Sequence, residues 1–555
     1  METCRGTGLA IAVAALLSTG CGRSETVRPA PAPSMRYDDL VALFTEWRAF
    51  QPAPLVDGVP DYRPAAMSAQ RQELANFQRR LFAIDPSAWP IAQQVDHHIV
   101  RAEMNGLEFD HRVLQPWAND PAYYVTFFGD ESDQPAREGN FARGGVEAWS
   151  YQLPLDAAAV AEIQPRVRAI PALLDQAKTN LVGNGKDLWT RAVGLLRAQS
   201  ADVAEFAGKL KGEATTSLAA DLGRAQEATD AFAAWVEGQA ATKTGPSGIG
   251  RDNYNWYLKH VQLLPYTWDQ VLTLMQRELA RSRSSLALEE QRNAALAPAM
   301  PVGDRATYDR QFQDRVTEYM KFLRDRNVLT IRDYMDGALR ARGGRFTPSP
   351  REFFTEIDHR DPMVMRTHGY HWFDKARMIA DPHPSPIRKG PLLYNIFITR
   401  TEGLATGWEE MMMHAGMFDA RPRSRELIWV LLAQRAARAQ GDLRMHAREA
   451  TLEEAAAFTS ANTPRGWLRL EGNLVRGEQH LYLRQPAYGI SYVVGKFQIE
   501  QLIADRKRQL GDAFKFREFM DEFDNAGLIP ISLIRWQLTG ELSSDLRPVL
   551  GTMAK

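Results

Sequence analysis

From Tyr37 to the C-terminus the chain is composed of long segments rich in Ala, Leu, Glu, Arg and Gln, with few runs of β-branched residues. Such text favours helix, because straight side chains lose little freedom there and β-branched ones lose more. Val95, Ile99 and Ala102 are spaced to share one helix face, as are Val271, Met275 and Glu278, with Leu274 and Leu279 beside them. Start signals agree. Thr267-Trp268-Asp269-Gln270 and Thr451-Leu452-Glu453-Glu454 read as capping boxes, in which the threonine and the Gln or Glu satisfy unpaired amides of the first turn. Strand-type alternation appears only in short pieces, which argues against a parallel-sheet enzyme. The expected fold class is mainly α.

Two cysteines, Cys4 and Cys21, are the only thiols among 555 residues, so the body of the chain can hold no disulfide, no thiolate metal ligand and no cysteine nucleophile. Gly8 to Leu17 is a small, apolar run. It is too short to span the roughly 30 Å of a bilayer core and reads as an export signal. Leu17-Ser18-Thr19-Gly20-Cys21 resembles a bacterial lipobox, with Ser18 where leucine is preferred, so residues 1–20 are expected to be a lipoprotein signal peptide and Cys21 the lipidated residue. Residues 21–36, rich in Pro and Ala, read as an extended tether. The breaker cluster Lys243-Thr244-Gly245-Pro246-Ser247-Gly248 divides the remainder into an N-terminal helical lobe, 37–245, and a C-terminal lobe, 246–555, that carries the candidate site. Lys and Arg total 67 against 68 Asp and Glu, giving a net charge of −1 and no basic surplus for nucleic acid.

Common catalytic motifs are missing. Gly183-Asn184-Gly185-Lys186 lacks the spacing of a phosphate-binding loop, no G-x-S-x-G elbow occurs, and no histidine is followed by glutamate. Titratable groups instead concentrate between His359 and Tyr492. His368 and His371 lie three apart, with Asp374 one turn further on. Glu402 and Glu409 return to one helix face, and Glu410 and His414 share the adjacent one. Imidazoles and carboxylates on facing helices can hold a divalent ion, since zinc accepts three nitrogen or oxygen ligands and keeps an open position. The same pattern also fits a buried hydrogen-bonded network. Met411-Met412-Met413 reads as core, and His97-His98 as a half-exposed helix pair.

Several of these segments resemble the bacterial domain-of-unknown-function-885 family, helical proteins similar to zinc metallopeptidases. Glu402, Gly403, Ala405 and Glu409 match its E-G-W-A-L-Y-A-E pattern; Asp442 and His446 match D-x-G-x-H without the glycine. Pro486, Tyr492 and Gly495 match P-x-x-x-x-x-Y-x-x-G, and Asn119-Asp120-Pro121-Ala122-Tyr123 resembles N-P-x-x-Y with one insertion. Typical members carry H-E-x-x-P-G-H-H some thirty residues before the E-G-W segment. That region of this chain reads His368-Gly369-Tyr370-His371-Trp372-Phe373-Asp374, keeping two histidines but no adjacent glutamate.

The resemblance implies two helical lobes around a central cleft, and a divalent metal, zinc by preference, held by His368, His371 or Asp374 with Glu402. Glu409 or Glu410 would supply the general base, and His446 and Tyr492 would stabilise a developing oxyanion. The expected protein is a cell-envelope lipoprotein on the periplasmic side, attached to the membrane through its N-terminal lipid only. It would resemble metal-dependent hydrolases of the peptidase type, acting on a peptide or small amide in the interlobe cleft. The alternatives are a silent ligand-binding lipoprotein that has lost metal and water activation, and a metal-dependent enzyme of altered chemistry such as a lyase.

Overall fold

A computed structural model describes residues 34–212, 215–342 and 344–551. The signal segment 1–20, Cys21 and most of the tether lie outside the described residues. The last tether residues do not hang free: the Ser34 amide donates to the Ala83 carbonyl at 3.0 Å, three residues before helix Tyr37–Phe50 begins.

The described chain is a helical protein with only four two-residue strands, Leu55–Val56 paired antiparallel with Val59–Pro60 and Phe127–Phe128 paired parallel with Val146–Glu147. Both capping boxes form. Val95, Ile99, Ala102, Val271 and Met275 are fully buried, as their spacing predicts. His97 and His98 differ from expectation, being 2% and 3% exposed: one ring reaches the Leu81 carbonyl and the other packs edge-on against Trp536. No helix among the described residues is long and apolar enough to cross a membrane.

Two large apolar cores organise the described residues, beside a small third cluster that includes Ile398, Tyr482, Tyr488 and Tyr492, and they do not divide simply at residue 245. The smaller is built around helices Ala157–Asn180, Lys186–Lys209 and Thr216–Ala240, which pack on one another. The larger joins residues of the first 110, such as Leu40, Trp47 and Phe109, to most of the second half. Its centre is helix Pro422–His446, nearly all of it buried, against Trp268–Arg292, Leu452–Asn462 and Tyr488–Leu510.

One close contact within this core sets the frame of the candidate site. Helices Ile398–His414 and Tyr488–Leu510 cross at Gly403 and Gly495. A Cβ on Gly403 would stand 2.4 Å from the Gly495 Cα, and one on Gly495 would stand 2.0 Å from the Thr399 carbonyl oxygen. Only residues without side chains allow backbones to approach so closely. Two of the glycines matched by sequence pattern are thus contact points between the helices that carry Glu402 and Tyr492.

Candidate metal centre

The two histidines are not on one continuous helix. His368 ends helix Pro362–His368, Gly369 breaks it, and His371 lies in the first turn of Tyr370–Ala380. The break turns the rings towards each other, with centroids 5.1 Å apart and planes at 76°. Glu402 approaches from Ile398–His414, and one ligand-type atom from each of His368, His371 and Glu402 lies within 4.8 Å of the others. A single point therefore sits within roughly 3 Å of all three, close to what a metal ion needs.

Hydrogen bonding around this triad is complete except where the three converge. Glu402 Oε1 accepts from Tyr488 Oη at 2.7 Å and Gln134 Nε2 at 3.0 Å. Its Oε2 and the Nε2 of His371 are buried, lie 3.3 Å apart and have no hydrogen-bond partner. Two arms of about 2.05 Å at a tetrahedral angle would separate two ligand atoms by about 3.4 Å. The Nδ1 of His368 lies 3.0 Å from Glu409 Oε1 and 3.1 Å from Arg435 Nη2, so the ring is held from that side, as outer partners hold a ligating histidine. The donor set of two imidazoles and a carboxylate, with two buried atoms that have only each other as partners, fits a divalent metal.

Burial disfavours charge on both members of the facing pair, but mutual attraction wins. The carboxylates of Asp133 and Glu402 push His371 up to about 9, and His371 draws Glu402 down to about 2. Without a metal the pair is an ion pair; binding a metal must displace the shared proton.

Other expected residues are placed differently. Asp374 is no ligand: its carboxylate is gripped by Arg400 at 2.7 and 3.0 Å, and Arg400 also holds Asp524 at 2.8 Å. Glu409 is clamped by Arg435 at 2.7 and 2.8 Å, and despite burial Arg435 and His368 keep it below the ordinary range, so it orients His368 rather than acting as a base. Glu410 points elsewhere, to Arg281 at 2.9 and 2.7 Å and Lys496 at 3.1 Å, and is held ionised in the same way. His446 ends its helix beside the Tyr482 carbonyl, 2.9 Å away, and burial pushes it down to about 4; it does not face the triad's cavity. Tyr492 does line that cavity, under the Arg438 guanidinium, 4.1 Å from its ring.

The cavity measures about 340 Å³ and is reached by His368 and Glu402. Its walls include residues that sequence reasoning missed. The segment between the paired strands at 127–128 and 146–147 brings Asp133, Gln134 and Glu138 across from the smaller core. Burial and the neighbouring Asp133 push the Glu138 carboxyl up to about 7, where it accepts from Ser132 Oγ at 2.5 Å. Nothing in 130–138 (DESDQPARE) shows periodicity, and its contacts span more than 260 residues of chain, so no local signal points there. Tyr488 was within reach: it lies one helical turn before Tyr492 on the same face.

The comparisons with known proteins agree on the fold. A lipoprotein of unknown function, so described only presumptively, from Shewanella oneidensis superposes with a TM-score of 0.67 at 15% identity, covering 92% of this chain and 100% of its own. Another presumptive lipoprotein, from Colwellia psychrerythraea, gives 0.62 at 15% identity, covering 91% and 98%. No curated protein matches the sequence. The profile of a family described as bacterial protein of unknown function matches residues 53–396 and 391–538. The chain belongs to this family, DUF885.

Proposed function

We propose that this protein is a metal-dependent hydrolase of peptide or other amide bonds, held at the bacterial cell envelope by a lipid on Cys21. The observation that carries the reading is the convergence of His368 with His371 Nε2 and Glu402 Oε2, two buried atoms that have only each other as partners. His368, His371 and Glu402 would hold the ion. When bound, a divalent metal such as zinc supplies Lewis acidity, polarising a carbonyl and acidifying water.

The chain's own groups divide the remaining work. Glu138, in the wall of the same cavity, takes the proton of the attacking water on its carboxylate and can return it to the leaving amine. A carboxyl that titrates near neutrality is matched to both tasks. Tyr492 is aimed into the cavity as a donor towards a developing oxyanion. Glu409 and Arg435 hold His368, while Gln134 and Tyr488 hold Glu402.

Metal analysis and calorimetry test this directly. The purified protein should contain about one divalent ion per chain. Chelation should lower its stability, and zinc at a hundredfold excess over Kd should restore about 2.7 kcal/mol. Glu402→Gln should lose both metal and hydrolysis. Glu138→Gln should keep the metal and lose about 10²–10⁴ in kcat. A protein that purifies without metal and is not stabilised by zinc sinks the proposal; metal binding without hydrolysis of any amide leaves a binding protein.

A further inference from the structure

The segment that delivers Glu138 to the metal centre has a second face. Gly139 donates its amide to Gln485 Oε1 at 2.8 Å, and Asn140 turns the other way, its Nδ2 standing 3.1 and 3.2 Å from the two carboxylate oxygens of Asp110. These residues line a separate cavity of about 410 Å³. The two cavities therefore share a wall: Glu138 lines the first, and Gly139 and Asn140 line the second. A cavity of this volume suits a small ligand or one end of a larger one.

Its electrostatics are unbalanced by one group. Arg137 is paired with Glu147 at 2.8 Å, and Arg484 with Asp120 at 2.6 Å. Asp110, 6% exposed, has no cationic partner among the described residues. Its hydrogen bonds come from one neutral amide, and burial pushes its carboxyl up to about 7. A buried carboxyl without a cation is costly unless something supplies the missing charge. The backbone around it is also unusual. Asp110 opens a turn of π-helix, Asp110–Leu114, a feature frequent at functional sites. Opposite, Tyr394 and Asn395 adopt φ of 57° and 47°, conformations that side-chain-bearing residues hold only where the surroundings impose them. The imposition is visible: the Tyr394 ring lies so close over Gly106 that a Cβ there would be 2.3 Å from it. The result is an aromatic ring beside an unpaired carboxyl, a combination suited to a cation. Because Asn140 already spans both oxygens, a two-pronged guanidinium is disfavoured and a single-point ammonium fits.

We propose that the cavity between Asp110, Asn140 and Tyr394 binds the primary ammonium group of a peptide. This site does not rest on the hydrolase reading. The shared chemistry is a primary ammonium, from either a free N-terminus or a lysine side chain.

Isothermal titration of the purified, chelator-treated protein separates the sources without turnover. The probes are tri-alanine, N-acetyl-tri-alanine and N-acetyl-lysine methylamide. Tri-alanine or the lysine derivative should bind at least about tenfold more tightly than the acetylated tripeptide, and Asp110→Asn should remove that advantage. Preference for tri-alanine assigns an N-terminus, and preference for the lysine derivative assigns a side chain. Equal affinity for charged and uncharged probes, no binding of any of them, or an unchanged advantage in Asp110→Asn overturns the proposal. The wild-type comparison of probes decides even if the variant fails to fold. Ammonium binding by a protein that never hydrolyses an amide would sink the hydrolase reading and leave this one standing.

Discussion

The three-helix bundle of the smaller core and the helix layer of the larger core use charge in opposite ways. In the bundle, Leu196, Val203 and Phe206 point inwards and the cations of its ion pairs stay outside, even Arg168 and Arg224 on the buried Asp221, and often both partners do, as with Arg197 and Glu237, whose side chains are 62% and 57% exposed. Such a pair contributes at most about 1 kcal/mol. In the layer, Arg435 and Glu409 are each 1% exposed, and Arg400 and Asp374 are 0% and 3% exposed. Helices Tyr370–Ala380 and Ile398–His414 carry four carboxylates between them. Asp374, Glu409 and Glu410 each hold an arginine, whereas Glu402 forms no ion pair with one and faces two imidazoles instead. The contrast separates support from site: the paired carboxylates fix geometry, and the one left without an arginine is where an ion can enter.

Breaking the support should therefore cost more than any change in the bundle's surface charge. Arg435→Ala strands Glu409 in a dry site and frees His368, and should destabilise the fold by about 3–5 kcal/mol in a denaturant titration. A loss as small as that expected for the exposed Arg197 pair would erase the distinction. Gly403→Ala attacks the same layer through packing. Its methyl would meet the Gly495 backbone, so the helices carrying Glu402 and Tyr488 must part, at about 1–3 kcal/mol. Metal affinity should fall with it, read by competition with a chromophoric chelator, because ligand geometry depends on that crossing. Loss of stability with undiminished affinity would show that the crossing does not set the site.

The two regions also differ in how far the sequence reveals them. The bundle's helices alternate apolar and polar faces, and so does Val271–Leu279, which makes their burial readable from spacing, whereas along Val95–Ala102 burial also takes in Asp96, His97 and His98. Helix Ile398–His414 is buried on every side from Ile398 to Glu410, and its charged residues sit where periodicity would place core. Composition there signals chemistry but not which carboxylate does what. Asp374, Glu409 and Glu410 looked equivalent to Glu402, and only arginines at positions 281, 400 and 435 tell them apart. Arg281 and Arg435 are 129 and 26 residues from their carboxylates, distances at which spacing carries no information. Glu138 and Asp110 were silent for the same reason: each gains its character from burial and from neighbours brought by other elements.

Acid should sharpen the contrast most gently. Residues 157–240, which contain the bundle, have no histidine, whereas the larger core buries several. Burial holds His97 and His446 down to about 4, and puts His98 and His480 well below their ordinary value. Because the folded-state value lies below the unfolded one of about 6.5, the unfolded chain takes up protons first as pH falls. The stability linked to these rings is therefore fully present above about pH 6.5 and is lost as pH falls below it, down to about pH 4 for His97 and His446. The loss is of the order of 1 kcal/mol per pH unit for each fully buried ring. Hydrogen exchange, corrected for the intrinsic pH dependence of amide chemistry, reads the two regions separately. Over this range protection in Pro422–His446 should fall more steeply than in Lys186–Lys209. A parallel fall in both helices would mean that the two cores open as one unit, and that the division drawn between them is one of composition and not of stability.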